Sequence, residues 1–376
     1  MLESGYMSRW WREMDKGALG LLAAIAFTGF LAVISTSPYV AYRHGAATDF
    51  IIKYPVYMAI GACAFALASA LPKKWIMRGS FVALAIIIPL TFATLFIHGG
   101  ANVRSHRWIQ IPGFSLQPSE FLKPFLAVAT AWIIVKWKRE GDGRRRMRLA
   151  CFGAALYAAV IAILMRQTDL GMAAVILSML GIQLFVAGLP WKYLVLPAGG
   201  LAGIVALGYA FVPYVQRRVA GWFASMDCIK NPAEQFCRGL SAITSAGFVY
   251  GHSANNKSVV PDVHTDFVFA GMVEATGMVL SLLALGAMFG FVLLVLKRVR
   301  AMEGEEGSIA AAGIIGYLAV QMCINLSSNF GIIPAKGMTL PFVSYGGSSF
   351  VASSIAAGIV FALLQPHNMR DYHAKG

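Results

Sequence analysis

Charged residues are scarce in this sequence of 376 residues: they make up 13% of it, whereas about 25% is usual in a globular protein. Hydrophobic residues make up 58% of the chain, and they fall in blocks such as 17–35 and 81–97. Because such blocks are long enough to cross a bilayer, the composition excludes a soluble multidomain enzyme and favours an integral membrane protein.

Metal-binding and targeting motifs are also missing from the sequence. No group of cysteine and histidine residues has the spacing of zinc ligands. The first sixteen residues lack the short apolar core and cleavage site of a secretory signal. We therefore expect no zinc site and a first helix that is retained in the protein.

The hydrophobic blocks predict an all-α, polytopic membrane protein with about ten transmembrane helices in a single membrane domain, 1–376. A segment over 1–16 precedes the helices and a tail over 365–376 follows them. The predicted spans are 17–35, 54–71, 79–97, 118–135, 149–165, 170–189, 193–212, 266–296, 309–329 and 348–364.

The net charge of +14 could indicate nucleic-acid binding, but its placement along the chain favours membrane topology. With a cytoplasmic N-terminus, the inside segments hold 19 of the 31 basic residues and nine of the 17 acidic ones. This bias predicts that both termini are cytoplasmic and that nucleic acid is not a partner. The basic run 136–148 is most simply a retention signal that touches anionic headgroups, with a dedicated partner site as the alternative.

A long polar segment, 213–265, is expected on the extracytoplasmic side. Its aromatic residues favour packing on the membrane surface, so we expect it to be ordered in part. Cys228 and Cys237 lie in it, eight residues between them, and either close a small loop or remain thiols. The other three cysteines, Cys63, Cys151 and Cys323, lie in apolar spans and are interpreted as core packing.

Ionisable residues within apolar spans are costly unless paired, so each one is a functional hypothesis. Glu120 and Lys123 share a helical face, where they either form an ion pair that holds helices together or present the lysine to a phosphate. Asp169 and Asp266 each precede an apolar run. Each is either a helix N-cap or a functional carboxylate.

The segment 334–349 contains two prolines and several glycines, which forbid a continuous helix. Such a segment is typical of re-entrant backbone that lines a cavity, although a purely structural turn is the alternative. Lys336 in this segment favours an anionic ligand.

Five motifs together resemble the shape, elongation, division and sporulation family of membrane proteins over nearly the whole chain. They are Arg107-Trp108-Ile109, Gln117-Pro118-Ser119-Glu120 with Lys123, Asp169-Leu170-Gly171, Pro261 to Phe269, and Lys336 to Ser349. Met338-Thr339-Leu340-Pro341 and Ser37-Pro38-Tyr39 are closer to the division member than to the elongation member. The resemblance implies a ten-helix fold and a glycosyltransferase that polymerises lipid II into peptidoglycan strands.

The resemblance also implies roles for individual residues. Asp266 is expected to be the general base on the acceptor hydroxyl, with undecaprenyl pyrophosphate as the leaving group. The expected substrate-binding residues are Glu120, Lys123, Arg107, Lys336, Arg217, Arg218, His264 and Ser344. No cofactor is required, although a divalent cation (Mg or Mn) could share the charge of the pyrophosphate.

The resemblance implies partners and a location as well: a class B penicillin-binding protein as transpeptidase, other divisome membrane proteins, and the bacterial inner membrane at the septum with the active site facing outward. Two alternatives stay open. A lipid II flippase would need charged side chains along a path through the bilayer, and a divisome scaffold would tolerate loss of Asp266.

Overall fold

The computed structural model describes residues 3–44, 47–97, 106–111, 114–225, 228, 235–251, 263–302, 304–334 and 337–365. Helices dominate these ranges, and the fourteen formed there are α1 Glu3–Glu13, α2 Lys16–His44, α3 Ala47–Ala70, α4 Lys73–Ala93, α5 Pro118–Arg139, α6 Gly143–Arg166, α7 Leu170–Val186, α8 Val195–Phe211, α9 Pro213–Ser225, α10 Gln235–Ser245, α11 Val268–Thr276, α12 Met278–Arg300, α13 Glu305–Asn329 and α14 Gly347–Leu364. Two short strands, β1 Ile109–Ile111 and β2 Phe114–Leu116, form an antiparallel hairpin before α5.

The prediction of an all-α membrane protein is confirmed. Among the described residues, nine helical segments are long and apolar enough to cross a membrane, and α7 is apolar but has only 17 residues. Together they account for the ten predicted spans. Several boundaries differ from the prediction, most clearly for α2, which continues to His44.

The eighth predicted span, 266–296, is wrong as a single helix. The chain forms α11 and α12 instead, which meet at Gly277. The φ of Gly277 is +89°, in a region that glycine reaches without steric cost, so the helix is broken there. The sequence prediction missed this break because the apolar run continues through it.

Helices α5, α13 and α14 form the buried centre of the bundle, with about three quarters or more of each span buried. Alanine, glycine and serine are frequent on α13 and α14, and small side chains allow helix backbones to approach closely in a membrane. The surrounding helices expose large apolar side chains such as Leu67 and Leu196. These side chains are the surface that lipid covers in a membrane.

The two ends of the bundle differ in chemistry. At one end, where α5 and α12 end and α6 and α13 begin, ion pairs join Lys138 to Glu305 and Arg298 to Asp15. We call this the basic end; by the positive-inside rule it is predicted to be cytoplasmic. We call the opposite end, where α5, α7, α11 and α14 begin, the loop end.

The long segment between α8 and α11 contains helices α9 and α10 in its described part. Cys228 and Cys237 form a disulfide, which closes the small loop considered above. The other three cysteines, Cys63, Cys151 and Cys323, are exposed, so the prediction that they pack in the core is wrong. Trp222 on α9 donates a hydrogen bond of 2.9 Å from Nε1 to the carbonyl oxygen of Gly331, just after α13. The segment is therefore attached to the loop end of the bundle.

The disulfide gives a direct chemical test. Alkylation of the unfolded protein without reductant should modify the three thiols of Cys63, Cys151 and Cys323, and reduction beforehand should raise the number to five, because the disulfide protects two. Intact mass spectrometry measures the count. Five modified thiols without reductant would contradict the pairing.

Close packing of α3 against α14 depends on glycine at position 358. A Cβ atom added there would lie 2.6 Å from the carbonyl oxygen of Phe65, which is backbone and cannot move aside freely. We expect Gly358→Ala to lower the free energy of unfolding by about 1–3 kcal/mol through overpacking. Thermal unfolding in detergent measures the loss.

Gly79→Ala on α4 is the matched control, since a Cβ atom there meets nothing within 4 Å. Because alanine has the higher helix propensity, this variant should be neutral or slightly stabilised. Equal destabilisation by both variants would show that the cost does not arise from contact between α3 and α14.

Candidate active site

Asp266 lies in the turn 263–267 that leads into α11, and it is half-buried. The N-cap of α11 is Phe267, without a side-chain capping bond, so the interpretation of Asp266 as a helix cap is wrong. Its carboxylate lies beside the backbone of Gly337: a Cβ atom placed on that glycine would be 3.6 Å from Asp266 Oδ2. The carboxylate therefore faces the interrupted segment between α13 and α14.

Two asparagine side chains fix the main chain of Asp266. Asn325 Nδ2 and Asn329 Nδ2 each donate a hydrogen bond of 3.0 Å to the Asp266 carbonyl oxygen. Asn325 Nδ2 also donates to the carbonyl of Met338 at 2.6 Å, and Asn329 Oδ1 accepts from the N–H of Ala270 at 3.2 Å. Both asparagines are almost fully buried. They join α11 and the interrupted segment to α13.

Gln321, Asn325 and Asn329 lie four residues apart, so they occupy one face of α13. Gln321 Nε2 donates to the carbonyl of Thr339 at 3.0 Å. We call these three residues the amide ladder. The sequence analysis missed it, although three amides at this spacing in an apolar helix are a readable signal of buried polar contacts.

The interrupted segment is held by bonds to the turn that carries Asp266. Ser344 Oγ donates to the carbonyl of Thr265 at 2.6 Å and accepts from the N–H of Leu340 at 2.8 Å. The Tyr345 N–H donates to the His264 carbonyl at 2.8 Å, and the two rings lie 5.6 Å apart. Ser344 and His264 thus lie beside Asp266, where they join the two turns. Lys336 lies outside the described residues.

Lys123 and Glu120 form a buried ion pair of 2.7 Å near the start of α5. Lys123 Nζ also donates to Gln321 Oε1 at 2.7 Å, and its side chain is 1% exposed. Because Gln321 in turn bonds to Thr339, the pair is connected through the amide ladder to the interrupted segment. The geometry matches the interpretation in which the pair holds helices together at the site.

Arg107 clamps the turn between α6 and α7. Its guanidinium donates to the carbonyls of Gln167 at 3.1 Å and Thr168 at 2.6 Å, and Nη1 lies 3.5 Å from Asp169 Oδ1. Thr168 has a φ of +56°, which is strained for a β-branched residue, and these bonds oppose the strain. Gln117, just before α5, reaches the other carboxylate oxygen of Asp169 at 3.5 Å.

Asp169 is the N-cap of α7, as one of the two interpretations predicted, since its Oδ1 accepts from the Met172 N–H at 3.3 Å. Burial raises the pKa of the Asp169 carboxyl, although Arg107 and the Met172 N–H act in the opposite direction. Asp169 therefore combines the capping role with an ion pair that links α7 to the chain before the hairpin.

The two predicted arginines of the long segment lie on α9. Arg217 is exposed, and its Nε donates to the Pro213 carbonyl at 3.4 Å within the same helix. The side chain of Arg218 lies outside the described residues. Within the described ranges, no group of three His, Cys, Asp or Glu residues could hold a metal ion.

The protein is a multi-pass, all-α membrane bundle in which the turn that carries Asp266 contacts the interrupted segment. The profile of the family described as cell cycle protein, which covers FtsW, RodA and SpoVE, matches residues 17–368. The chain belongs to this family.

Relatives and solved structures agree with that assignment. A Caulobacter vibrioides protein named "Probable peptidoglycan glycosyltransferase FtsW" is 33% identical over 95% of this chain and 90% of its own. A protein of the same name from Pseudoalteromonas translucida is 30% identical over 88% of this chain and 84% of its own. These similarities extend over nearly the full length of each chain.

Two solved structures share the fold. A chain from a peptidoglycan synthase complex that coordinates polymerization and crosslinking is similar with a TM-score of 0.70 and 25% identity, covering 93% of this chain and 97% of that one. The rod shape determining protein RodA of Thermus thermophilus is similar with a TM-score of 0.66 and 24% identity, covering 95% and 97%. The latter similarity concerns the fold alone.

The effects of substituting Lys123 and Glu120 on the free energy of unfolding should be strongly coupled. Lys123→Met leaves the Glu120 carboxylate buried without its cation, so we expect a loss of about 3–5 kcal/mol in the free energy of unfolding. Adding Glu120→Gln should recover part of this loss, because the uncompensated charge is removed. Unfolding of both single variants and the double variant in detergent gives the coupling energy, and additive losses would contradict the coupling.

Proposed function

We propose that this chain is a peptidoglycan glycosyltransferase that polymerises lipid II into β-1,4 glycan strands, with Asp266 as its general base. The carboxylate of Asp266 lies beside Gly337, on a turn whose Asp266 carbonyl accepts hydrogen bonds from Asn325 and Asn329, and this observation carries the proposal. The names of the FtsW relatives support the reaction class. A septal location in the bacterial inner membrane and a role in cell division belong to the same proposal.

The proposed reaction requires one carboxylate as general base and proceeds with a single inversion of configuration at the donor anomeric carbon. Asp266 accepts the proton of the acceptor 4-hydroxyl while the oxygen of that hydroxyl forms a bond to the donor anomeric carbon. The bond from that carbon to the pyrophosphate breaks, and undecaprenyl pyrophosphate leaves with the electron pair from the opposite face. An α-linked donor then gives a β-linked product without a covalent intermediate, as in one-step inverting glycosidases.

The described contacts best support a role in catalysis through positioning of the general base, Asp266. Two bonds to the Asp266 carbonyl and one between Ser344 and Thr265 limit movement of the turn. A base held in place loses less orientational freedom when the acceptor hydroxyl arrives. His264, beside Tyr345, belongs to the same turn and is proposed to line the acceptor side.

The leaving pyrophosphate needs positive charge, and cationic side chains at the loop end are the proposed source. Lys336, Arg217 and Arg218 are proposed as direct contacts. Arg107, Lys123 and Glu120 already bond to neighbouring groups, so we propose that they support the site indirectly, by holding the residues around it. The reaction as proposed requires no cofactor, and a divalent cation, Mg²⁺ or Mn²⁺, would share the pyrophosphate charge.

A class B penicillin-binding protein is the proposed transpeptidase partner, within a larger set of divisome membrane proteins. The similarity to a chain from a peptidoglycan synthase complex supports an assembly that couples polymerization to crosslinking. Lipid II is the proposed substrate in that assembly.

A lipid II flippase is the second candidate function, and the distribution of charge disfavours it. The buried charged residues among those described are Glu120, Lys123, Asp169 and Glu274. They lie near the starts of α5 and α7 and within α11, toward the loop end. A transport path would continue such groups toward the basic end.

The test is polymerisation of labelled lipid II by the full chain in detergent, alone and with an inactivated transpeptidase partner. Asp266→Asn keeps the shape of the side chain but cannot accept the proton, so we expect a loss of activity of about 100-fold or more. Gel separation of glycan strands measures the product. A second series with EDTA, Mg²⁺ or Mn²⁺ measures the dependence on metal.

Asp142→Asn is the matched control, because Asp142 is exposed at the basic end and asparagine also caps a helix well. This variant should polymerise like the unmodified protein. Full activity of folded Asp266→Asn would exclude the general base. The flippase would be favoured if no form made polymer while the unmodified protein translocated lipid II in vesicles. The scaffold would be favoured if cells with Asp266→Ala divided normally.

A further inference from the structure

An apolar groove runs along the lipid-facing side of the bundle, away from Asp266. Its volume is about 450 Å³, within the range of roughly 300–1,000 Å³ that is usual for small-molecule sites. Its walls come from α5, α6, α7 and α8, and they include Ile133, Ala154, Leu180 and Leu196. The hydroxyls of Thr130 and Tyr157 in this wall share a hydrogen bond of 2.9 Å, and most of the other lining side chains are apolar.

The groove reaches the basic end of the bundle, where two aromatic rings stand at its rim. Trp137, near the end of α5, packs edge to face on Tyr193, with ring centroids 5.6 Å apart. Both residues line the groove. Tryptophan and tyrosine favour the boundary between acyl chains and headgroups, so this rim lies where a lipid changes from apolar to polar.

Cations surround the same rim. The Arg146 guanidinium lies 4.0 Å from the centroid of the Trp137 ring, and Lys192 lies 5.4 Å from that of Tyr193. Arg144, Arg146 and Arg148 are exposed at the start of α6 and form no ion pair with a carboxylate in the described part of the chain. The run 136–148 contains seven basic and two acidic residues. The rim therefore has an excess of positive charge.

We propose that this groove is a binding site for an anionic phospholipid, whose acyl chain lies between α6 and α8 and whose phosphate contacts the arginines at the start of α6. An apolar groove that ends in cations complements an amphiphile with one anionic end. A zwitterionic lipid fits less well, because its ammonium group would meet the same excess of arginine. A protein helix would cover the groove without needing these charges.

This assignment gives the basic run a specific ligand, where the sequence alone left a choice between a retention signal and a partner site. The site is also separate from the proposed glycosyltransferase centre, because Trp137 and Asp266 lie at opposite ends of the bundle. Lipid binding can therefore be measured whether or not the polymerisation proposal is correct.

The test measures binding of phosphatidylglycerol and of phosphatidylcholine with the same acyl chains to the full-length protein, by native mass spectrometry after detergent purification. Phosphatidylglycerol should bind at least ten-fold more tightly. The triple change Arg144→Gln, Arg146→Gln and Arg148→Gln should weaken its binding at least five-fold. Ala154→Trp, which fills the groove from its exposed wall, should do the same without removing a charge.

Matched controls separate the site from general effects of charge and bulk. Arg300→Gln removes an exposed cation at the basic end on α12, and Ala159→Trp adds the same bulk on α6 outside the groove. Both should leave binding within two-fold of the unmodified protein. Thermal unfolding identifies any variant that is misfolded, and the arginine variant, which changes only exposed side chains, provides the test if Ala154→Trp is unstable.

Three results would overturn the proposal. Equal binding of the two lipids would show that charge does not select the lipid. Equal effects of the test and control variants would show that the lipid does not bind in the groove. Competition by glycerol phosphate alone would show a headgroup site without chain binding. A change from dimer to monomer with Ala154→Trp, without loss of lipid, would assign the groove to contact between two copies.

Discussion

Backbone groups that leave a helix within a membrane must find hydrogen-bond partners inside the protein, and this requirement organises the loop end of the bundle. Among the described residues, the chain is non-helical over 263–267, before α11, and over 337–346, before α14. Gln321, Asn325 and Asn329 supply amide groups to both places, so one face of α13 holds two interrupted segments together. The carboxylate of Asp266 owes its position beside Gly337 to that arrangement.

Buried charges at the same end are satisfied in a way that extends the amide ladder. The Lys123–Glu120 pair contacts Gln321, and the Arg107–Asp169 pair secures the turn between α6 and α7. A buried ion pair contributes little net stability, but loss of one member is costly. These pairs therefore fix the relative positions of α5, α7 and α13 more than they stabilise the fold. In the proposed reaction, that rigidity helps to keep the general base in place.

The basic end differs, because many of its charged side chains are exposed and form no ion pair in the described part of the chain. Partly exposed pairs such as Lys73 with Glu306, 3.7 Å apart, contribute about 1 kcal/mol or less each. The unpaired arginines at the start of α6 are then free to meet an anionic surface. The two ends of the bundle thus differ in their charges: buried ion pairs lie near Asp266, and exposed cations lie around Trp137.

The sequence by itself determined the membrane class and most of the spans, and it singled out Asp266, Lys123 and Asp169 as candidates, because hydropathy and isolated charges are properties of single segments. It also indicated the interrupted segment after α13 through its prolines and glycines. It did not determine the break at Gly277, the choice of Phe267 over Asp266 as the cap of α11, or the amide ladder. Nor did it show that Lys123 bonds to Gln321 on another helix. Only the tertiary structure decided these points, because each depends on which groups from distant segments meet in the bundle: Lys123 is 198 residues from Gln321, and the Asp266 carbonyl is 59 residues from the side chain of Asn325.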